Sequence, residues 1–134
     1  MPCRHQARST TSSAAPDAVS ASGPVDYIVG RDGGGDVRGI RVSGGSALLP
    51  RVTSTGCSLG GLVAAYLAVT PTALDGLVAA HTHVAVASEI AEEKASGPGS
   101  FAVAYLDALY TVSADTIRSR ARIESFDLPA GVQN

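Results

Sequence analysis

Two short segments with strand-like residues predict a β-hairpin at the start of the patterned part of the chain. Residues 25–29 (VDYIV) are β-branched and aromatic, and residues 37–42 (VRGIRV) alternate with the two-residue period of a strand. The glycine-rich run RDGGG at residues 31–35 lies between them and can supply the turn. A further turn is predicted at residues 43–46 (SGGS).

The pattern then changes to helical periodicity. A loop at residues 53–57 opens a helix that is predicted to run to about Val69. Thr72 and Asp75 have the spacing of a capping box at the start of a second helix, which is stopped by SGPG at residues 96–99 because proline cannot continue the hydrogen-bond ladder. One face of this second helix carries Leu74, Leu77, Val78, His81 and Ala85.

Two more helices complete the prediction. One starts near Ser100, and its inward face carries Phe101, Ala104, Tyr105 and Ala108. Ser113 can cap the other, which has Asp115 in its first turn and the basic residues Arg118, Arg120 and Arg122 in its last. Two strands followed by three or four helices, with no internal repeat, indicate one domain built from α/β layers.

The composition changes sharply near Gly23. The preceding residues are rich in Ser, Thr and Ala, which predicts a solvated tail with the ordered part starting at about Gly23. This stretch lacks the apolar region of a signal peptide. Residues 1–16 contain serine and arginine but no acid, as organellar transit peptides do, although they show no amphipathic period.

Charge and cysteine content exclude several classes of function. The 134 residues carry 10 basic and 12 acidic side chains, a formal charge of −2, so no electrostatic attraction to nucleic acid or anionic lipid is expected. No apolar run reaches the roughly 18 to 20 residues that a membrane span requires. Cys3 and Cys57 lie far apart, which argues against a disulfide framework and favours the cytoplasm.

The most informative stretch for chemistry is residues 53–57 (TSTGC). Small polar residues before a helix leave backbone N–H groups free to converge on an anion. In the first helical turn, the positive end of the helix would stabilise a thiolate at Cys57, which could then act as a base or as a nucleophile. The alternative is that Cys57 is a small buried apolar residue in a packing contact.

Other polar groups have simpler interpretations. His81 and His83 are two residues apart on a helix, so their side chains diverge and cannot share one metal ion. Glu89, Glu92 and Glu93 at a helix end are expected to be solvated rather than to bind magnesium. Residues 31–39 lack the lysine spacing and the following helix of a phosphate-binding loop. We therefore assign no metal ligand.

Three blocks in the chain resemble the hydroxyethylthiazole kinase family. The first is VTSTGC at residues 52–57, and the second is GPGSF at residues 97–101 with LDALY at residues 106–110. The third is SGPVDYI at residues 22–28, which is similar to the strand entry before the hairpin. The resemblance covers residues 22–126. It leaves residues 1–21 as a disordered, non-homologous leader and residues 127–134 as a flexible tail.

The resemblance implies a ribokinase-like fold, of which this chain would form the C-terminal part of three α/β/α layers. It implies phosphorylation of 4-methyl-5-(2-hydroxyethyl)thiazole by MgATP in thiamine biosynthesis or salvage, by a homotrimer. Cys57 would be the catalytic base, and the backbone amides of Thr55, Gly56 and Cys57 would form an anion hole for the transferred phosphoryl group. Ser22 stands where the family has a threonine that contacts ATP.

The chain departs from the family pattern at one residue of the loop. Ser54 stands where the family has a glycine that borders the thiazole. If that glycine uses a positive φ, serine would cost roughly 1 to 2 kcal/mol and could obstruct the substrate.

The chain also departs from the family in length, because family members are roughly twice as long. A truncated kinase is therefore expected, lacking the acidic residues around magnesium and most of the sheet. One alternative is an inactive remnant that binds nucleotide weakly or associates with a complete kinase subunit. Another is acyl transfer with Cys57 as nucleophile, for which no motif supplies a histidine partner.

Overall fold

A computed structural model describes residues 16–129 and residue 131. Interpretations that concern residues 1–15, including the transit-peptide resemblance and Cys3, lie outside the described residues, as do those for residues 130 and 132–134. The elements in chain order are β1 Ala18–Ala21, β2 Val25–Arg31, β3 Val37–Ser43, a 3₁₀ turn Leu49–Arg51, α1 Thr55–Leu67, α2 Ala73–Lys94, α3 Pro98–Thr111, α4 Ala114–Arg120 and β4 Arg122–Phe126.

The predicted hairpin is confirmed as strands β2 and β3. They pair antiparallel from Val25 opposite Ser43 to Arg31 opposite Val37. The connecting loop is closed by the Asp32 N–H, which donates to the Asp36 carbonyl at 2.9 Å. Ile28 and Val42 point into the core and are at most 2% exposed. The alternation of the two segments therefore sets which side of the hairpin is buried.

Two further strands, β1 and β4, make the sheet wider than predicted. The sheet has the order β1-β2-β3-β4, and every neighbouring pair is antiparallel. The expectation that the ordered part starts near Gly23 is wrong, because residues 18–21 of the expected leader pair with β2. Both added strands are short edge strands with mostly exposed side chains, so they lack the apolar alternation that would have marked them.

The helices agree with prediction in number and in their caps. Thr72 Oγ1 accepts from the Asp75 N–H at 3.1 Å, and Ser113 Oγ accepts from the Thr116 N–H at 3.1 Å. Two boundaries differ: α1 ends at Leu67, and α3 begins at Pro98, because proline is tolerated at the first helical position.

The basic end of the last helix also differs from prediction. Helix α4 ends at Arg120, whereas Arg122 opens β4 and pairs across the sheet with Ser43. The predicted helix-dipole role therefore applies to Arg118 and Arg120 only.

Helix α2 forms the centre of the fold. Twelve of its 22 residues are buried. On one side Leu74, Leu77 and Ala85 pack with Ile28 and Val42 of the sheet. On the other side Val84, Ala87 and Ala91 form a second core with Phe101, Tyr105 and Ala108 of α3 and partly buried residues of α1. An α/β architecture in which one helix separates two cores is therefore the observed fold.

Among the described residues, no helix has both the length and the apolarity needed to cross a membrane.

The buried phenol of Tyr105 is exceptional in this core. Its ring stacks on Phe101 with centroids 5.8 Å apart, and the residue is 2% exposed. Within the described part of the chain its hydroxyl has no hydrogen-bond partner. Burial raises the pKa of Tyr105 from 10.0 to about 12, because the charged phenolate loses its hydration.

Replacing Tyr105 with phenylalanine should raise the free energy of unfolding by about 1 kcal/mol at neutral pH, because an unpartnered buried hydroxyl carries a desolvation cost. The parent protein should also lose stability as the pH rises from about 10 to about 12, since the unfolded state releases the Tyr105 proton first. The phenylalanine variant should lack this component. Urea unfolding between pH 7 and pH 12 measures both effects.

The matched control is Tyr110→Phe on the same helix, because Tyr110 is 91% exposed and its hydroxyl is solvated. This control should leave the unfolding free energy unchanged. A Tyr105→Phe variant that is less stable than the parent would show that the hydroxyl has a partner.

Candidate functional site

A cleft of about 660 Å³ opens where three segments meet. These segments are the 22–24 turn between β1 and β2, the 44–47 loop after β3 and the first turn of α1. Its apolar lining includes Leu59 of α1 and Val84 of α2. The cleft is therefore polar where the loops meet and apolar along the helices.

The first turn of α1 presents free backbone N–H groups. Thr55, Gly56 and Cys57 are its first three residues, and the first bond within this turn runs from the Ser58 N–H to the Ser54 carbonyl at 2.9 Å. Among the described residues, no backbone carbonyl or capping side chain accepts from the three preceding N–H groups. Together with the helix dipole, these donors can bind an anion such as a phosphate group.

Cys57 is exposed to solvent in this first turn. The alternative interpretation, in which it is a small buried packing residue, is therefore wrong. Its thiol is therefore open to solvent at the start of α1. The geometry leaves the choice between base and nucleophile to the identity of the substrate.

Ser54 has a left-handed backbone conformation, with φ 76° and ψ −1°. It is the only residue other than glycine with positive φ in the described ranges 16–129 and 131. Its side chain makes no capping hydrogen bond to α1, so the usual benefit of serine at a helix start is absent. Ser54 therefore has the positive φ that, by our expectation from the sequence, makes serine unfavourable compared with glycine.

The opposite wall of the cleft contains Ser22, the residue proposed to contact ATP. Ser22, Thr55 and Gly56 all line the cleft, although more than 30 residues separate the two segments in the sequence. Ser54 and Cys57 are their chain neighbours but are not among the lining residues. The fold thus brings three of the five predicted site residues onto one surface.

The 44–47 loop is a part of the site that the sequence interpretation treated as an ordinary turn. Gly45 N–H donates to Glu89 Oε1 at 3.0 Å, and Ser46 N–H donates to Ser88 Oγ at 3.0 Å. Glu89 also pairs with Arg122 of β4. The expectation that Glu89 is simply solvated is therefore wrong, because its carboxylate attaches the loop to α2.

The two histidines diverge as predicted. His81 Nδ1 lies 2.8 Å from Asp26 Oδ2, whereas His83 Nδ1 lies 2.9 Å from the Tyr66 hydroxyl. Within the described part of the chain, their hydrogen bonds involve residues other than Cys57. The sequence could not have identified the Asp26–His81 pair, since the two residues are 55 positions apart and share no motif.

The potential metal ligands are dispersed. The described residues contain no cluster of three or more His, Cys, Asp or Glu side chains that could hold an ion. Asp26 and Glu89, which hold loops of the cleft, already accept hydrogen bonds from the protein. What the site offers a ligand is therefore a set of N–H donors and hydroxyl groups.

Fold and cleft together define a class: an α/β protein whose helix N-terminus can bind the phosphate group of a small molecule. The sequence profile of the hydroxyethylthiazole kinase family matches residues 7–115. The chain belongs to the hydroxyethylthiazole kinase family. The match begins inside the segment that was expected to be a non-homologous leader.

Individual relatives agree with the family match. The chain is 98% identical over 118 residues to a hydroxyethylthiazole kinase of Rhodococcus erythropolis, which covers 88% of this chain and 42% of that protein. It is 53% identical over 102 residues to a hydroxyethylthiazole kinase of Kineococcus radiotolerans, covering 76% of this chain and 35% of the relative.

A solved structure has the same fold. The hydroxyethylthiazole kinase of Pyrococcus horikoshii matches with a TM-score of 0.72 and 37% identity, over 82% of this chain and 41% of the other. The chain therefore spans about two fifths of the length of its relatives.

Replacing Ser54 with glycine should raise the free energy of unfolding by about 1 kcal/mol, because glycine adopts positive φ without the clash that serine suffers. Thermal or urea unfolding of the two proteins measures the difference. The matched control is Ser58→Gly inside α1, which should lower stability by about 0.5 to 1 kcal/mol. Equal stability of Ser54→Gly and the parent would contradict strain at this position.

Proposed function

We propose that this chain carries the nucleotide- and phosphoryl-binding part of a hydroxyethylthiazole kinase. The reaction is transfer of the γ-phosphoryl group of ATP to the hydroxyl of 4-methyl-5-(2-hydroxyethyl)thiazole, in thiamine biosynthesis or salvage in the cytoplasm. The observation that carries the proposal is that Ser22 lines one cleft with Thr55 and Gly56, the first two residues of α1, whose N–H groups are free. Family membership supplies the substrate class.

The proposed roles follow from the atoms available. The thiolate of Cys57 accepts the proton of the substrate hydroxyl, whose oxygen attacks the γ-phosphorus while the bond from that phosphorus to the β,γ-bridging oxygen breaks and ADP leaves. The amides of Thr55, Gly56 and Cys57 donate to the oxygens of the transferred phosphoryl group, where negative charge is spread in the transition state. Ser22 donates its hydroxyl to ATP from the opposite wall. Ser54 borders the thiazole.

Magnesium enters this proposal with the co-substrate, as MgATP. The carboxylates of Asp26 and Glu89 are held by hydrogen bonds to Gly23, His81 and Gly45. We assign none of the described residues as a magnesium ligand.

A homotrimeric assembly is part of the proposal. Large apolar side chains on α3 are open to solvent, with Val103 64%, Leu106 61% and Tyr110 91% exposed. An exposed apolar patch of this kind is typical of a surface that binds protein. Contact between α3 and a neighbouring subunit would cover these side chains.

A second candidate is a catalytically inactive form that binds nucleotide weakly or associates with a complete kinase subunit. The left-handed conformation of Ser54 favours it, because the family resemblance places a glycine that borders the substrate at this position, and serine adds a side chain there.

We expect Cys57→Ala to abolish the phosphorylation of the thiazole alcohol, because the variant has no group at this position to accept the hydroxyl proton. The measurement is ATP- and magnesium-dependent product formation by the purified chain. It is repeated with the chain joined to the remaining residues of the Rhodococcus erythropolis relative. The variant also controls for a contaminating kinase, whose activity would not depend on Cys57.

The outcomes separate the two candidates. Cys57-dependent product from the chain alone supports kinase activity in these 134 residues. ATP binding without product, alongside activity of the completed protein, supports the inactive form. Equal product formation by the parent and Cys57→Ala, with none in a mock purification from cells that lack the chain, would contradict the proposed base.

Ser54→Gly should lower the KM for the thiazole alcohol or raise kcat, since it removes a side chain from the proposed substrate border. A change of about tenfold corresponds to roughly 1.4 kcal/mol of relieved crowding between the serine side chain and the substrate. The measurement is steady-state kinetics of the chain alone or, if only that form is active, of the chain joined to the remaining residues of its relative. Ser58→Gly is the matched control. Unchanged kcat and KM would dismiss obstruction by Ser54.

A further inference from the structure

The carboxylate of Asp26 makes two hydrogen bonds at the edge of the cleft. Its Oδ1 accepts from the Gly23 N–H at 2.9 Å, within the 22–24 turn. Its Oδ2 lies 2.8 Å from His81 Nδ1 on α2. Because an ionised carboxylate only accepts, the imidazole donates from Nδ1. The turn is thus attached to the central helix through one side chain.

The imidazole extends this connection to strand β1. His81 is 1% exposed, and its Nε2 lies 3.0 Å from the Ser20 hydroxyl. A buried imidazole with both nitrogens bonded has its orientation determined, since either bond would be costly to lose. His81 therefore holds β1 on one side of the turn, while Asp26 holds β2 and the turn itself.

The segment held in this way is the wall of the cleft that contains Ser22. Gly23, whose N–H is bonded to Asp26, directly follows Ser22, and both residues line the cleft with Thr55 and Gly56. A shift of this turn would change the distance between the Ser22 hydroxyl and the amides at the start of α1. Small displacements of this kind weaken ligand binding strongly.

We infer that Asp26 and His81 are positioning residues that fix the Ser22 turn for the phosphate-bearing nucleotide, an inference that rests on the function proposed above for this cleft. Asp26 itself lines the cleft, and the role inferred for the pair is exerted through the Gly23 amide and the Ser20 hydroxyl. Their contribution is to hydrogen bonding rather than to charge, which makes the two kinds of Asp26 variant distinguishable.

The test compares Asp26→Ala with Asp26→Asn in the full 134-residue chain. Asparagine keeps an Oδ1 acceptor for Gly23, and its amide can donate to His81 in the other imidazole tautomer. Alanine removes both bonds. Hydrogen exchange of the Gly23 amide, followed by NMR, should accelerate about tenfold in Asp26→Ala, the effect of losing one hydrogen bond to a charged group. In Asp26→Asn it should stay within about twofold of the parent, because a neutral hydrogen bond remains.

The same proteins are titrated with ATP. The Kd for ATP should rise about tenfold in Asp26→Ala and be restored in Asp26→Asn, as expected when a pre-positioned turn is released. The matched control is His83→Phe, two residues from His81 on α2. It removes the bonds to the Tyr66 hydroxyl and the Leu109 carbonyl but none to the turn. This control should change thermal stability while leaving Gly23 exchange and the ATP Kd unchanged.

Each outcome decides the inference. Unchanged Gly23 exchange in Asp26→Ala, or equal effects of His83→Phe and Asp26→Ala on exchange, would overturn it. If Asp26→Ala does not fold, the surface variant Ser20→Ala takes its place, with an expected acceleration of about threefold for one weaker bond. Failure of the parent chain to bind ATP would count against the proposed function, and the exchange experiment then decides the positioning role by itself.

Discussion

The burial of α2 is the constraint on which the rest of the structure depends. This helix contacts the sheet on one side and α1 and α3 on the other, and both hydrophobic cores include its residues. Many of its buried side chains are small, with alanine or valine at six of the twelve buried positions, so neighbouring backbones approach closely. The approach is close to its steric limit at Gly76, because a Cβ there would lie 2.9 Å from side-chain atoms of Leu67 and Thr70. The sequence, with 4% aromatic residues, thus builds its core by close approach rather than by large side chains.

The same helix organises the cleft. His81 is connected through Asp26 to the 22–24 turn, and Ser88 and Glu89 bond the 44–47 loop. Both walls are therefore attached to an element whose own position is determined by apolar packing. Polar side chains that are buried and fully bonded provide such directional connections, whereas apolar contacts alone leave a loop free to slide. The proposed nucleotide site depends on this arrangement, because its donors come from segments that are distant in the sequence.

Ser54 is the position where local preference and the fold disagree. The chain reverses into α1 through a left-handed residue, and glycine is the residue that adopts this conformation without strain. The N–H groups that follow remain available for an anion because the Ser54 side chain does not cap them. Disagreements of this kind are typical of functional loops, where backbone geometry serves a ligand rather than stability. The same geometry keeps Cys57 exposed at the helix start.

Much of this fold could be predicted from the sequence, because its signals are local. The hairpin, the caps at Thr72 and Ser113 and the buried face of α2 follow from residue spacing alone. The loop that opens α1 could also be identified, together with its free amides.

The edge strands β1 and β4 could not be predicted, since their short exposed segments acquire structure only by pairing with β2 and β3. The ion pair of Glu89 with Arg122 and the bond between Asp26 and His81 were decided by the tertiary structure. Both contacts join segments that are distant in the sequence, so they form only once the hydrophobic cores have packed those segments together.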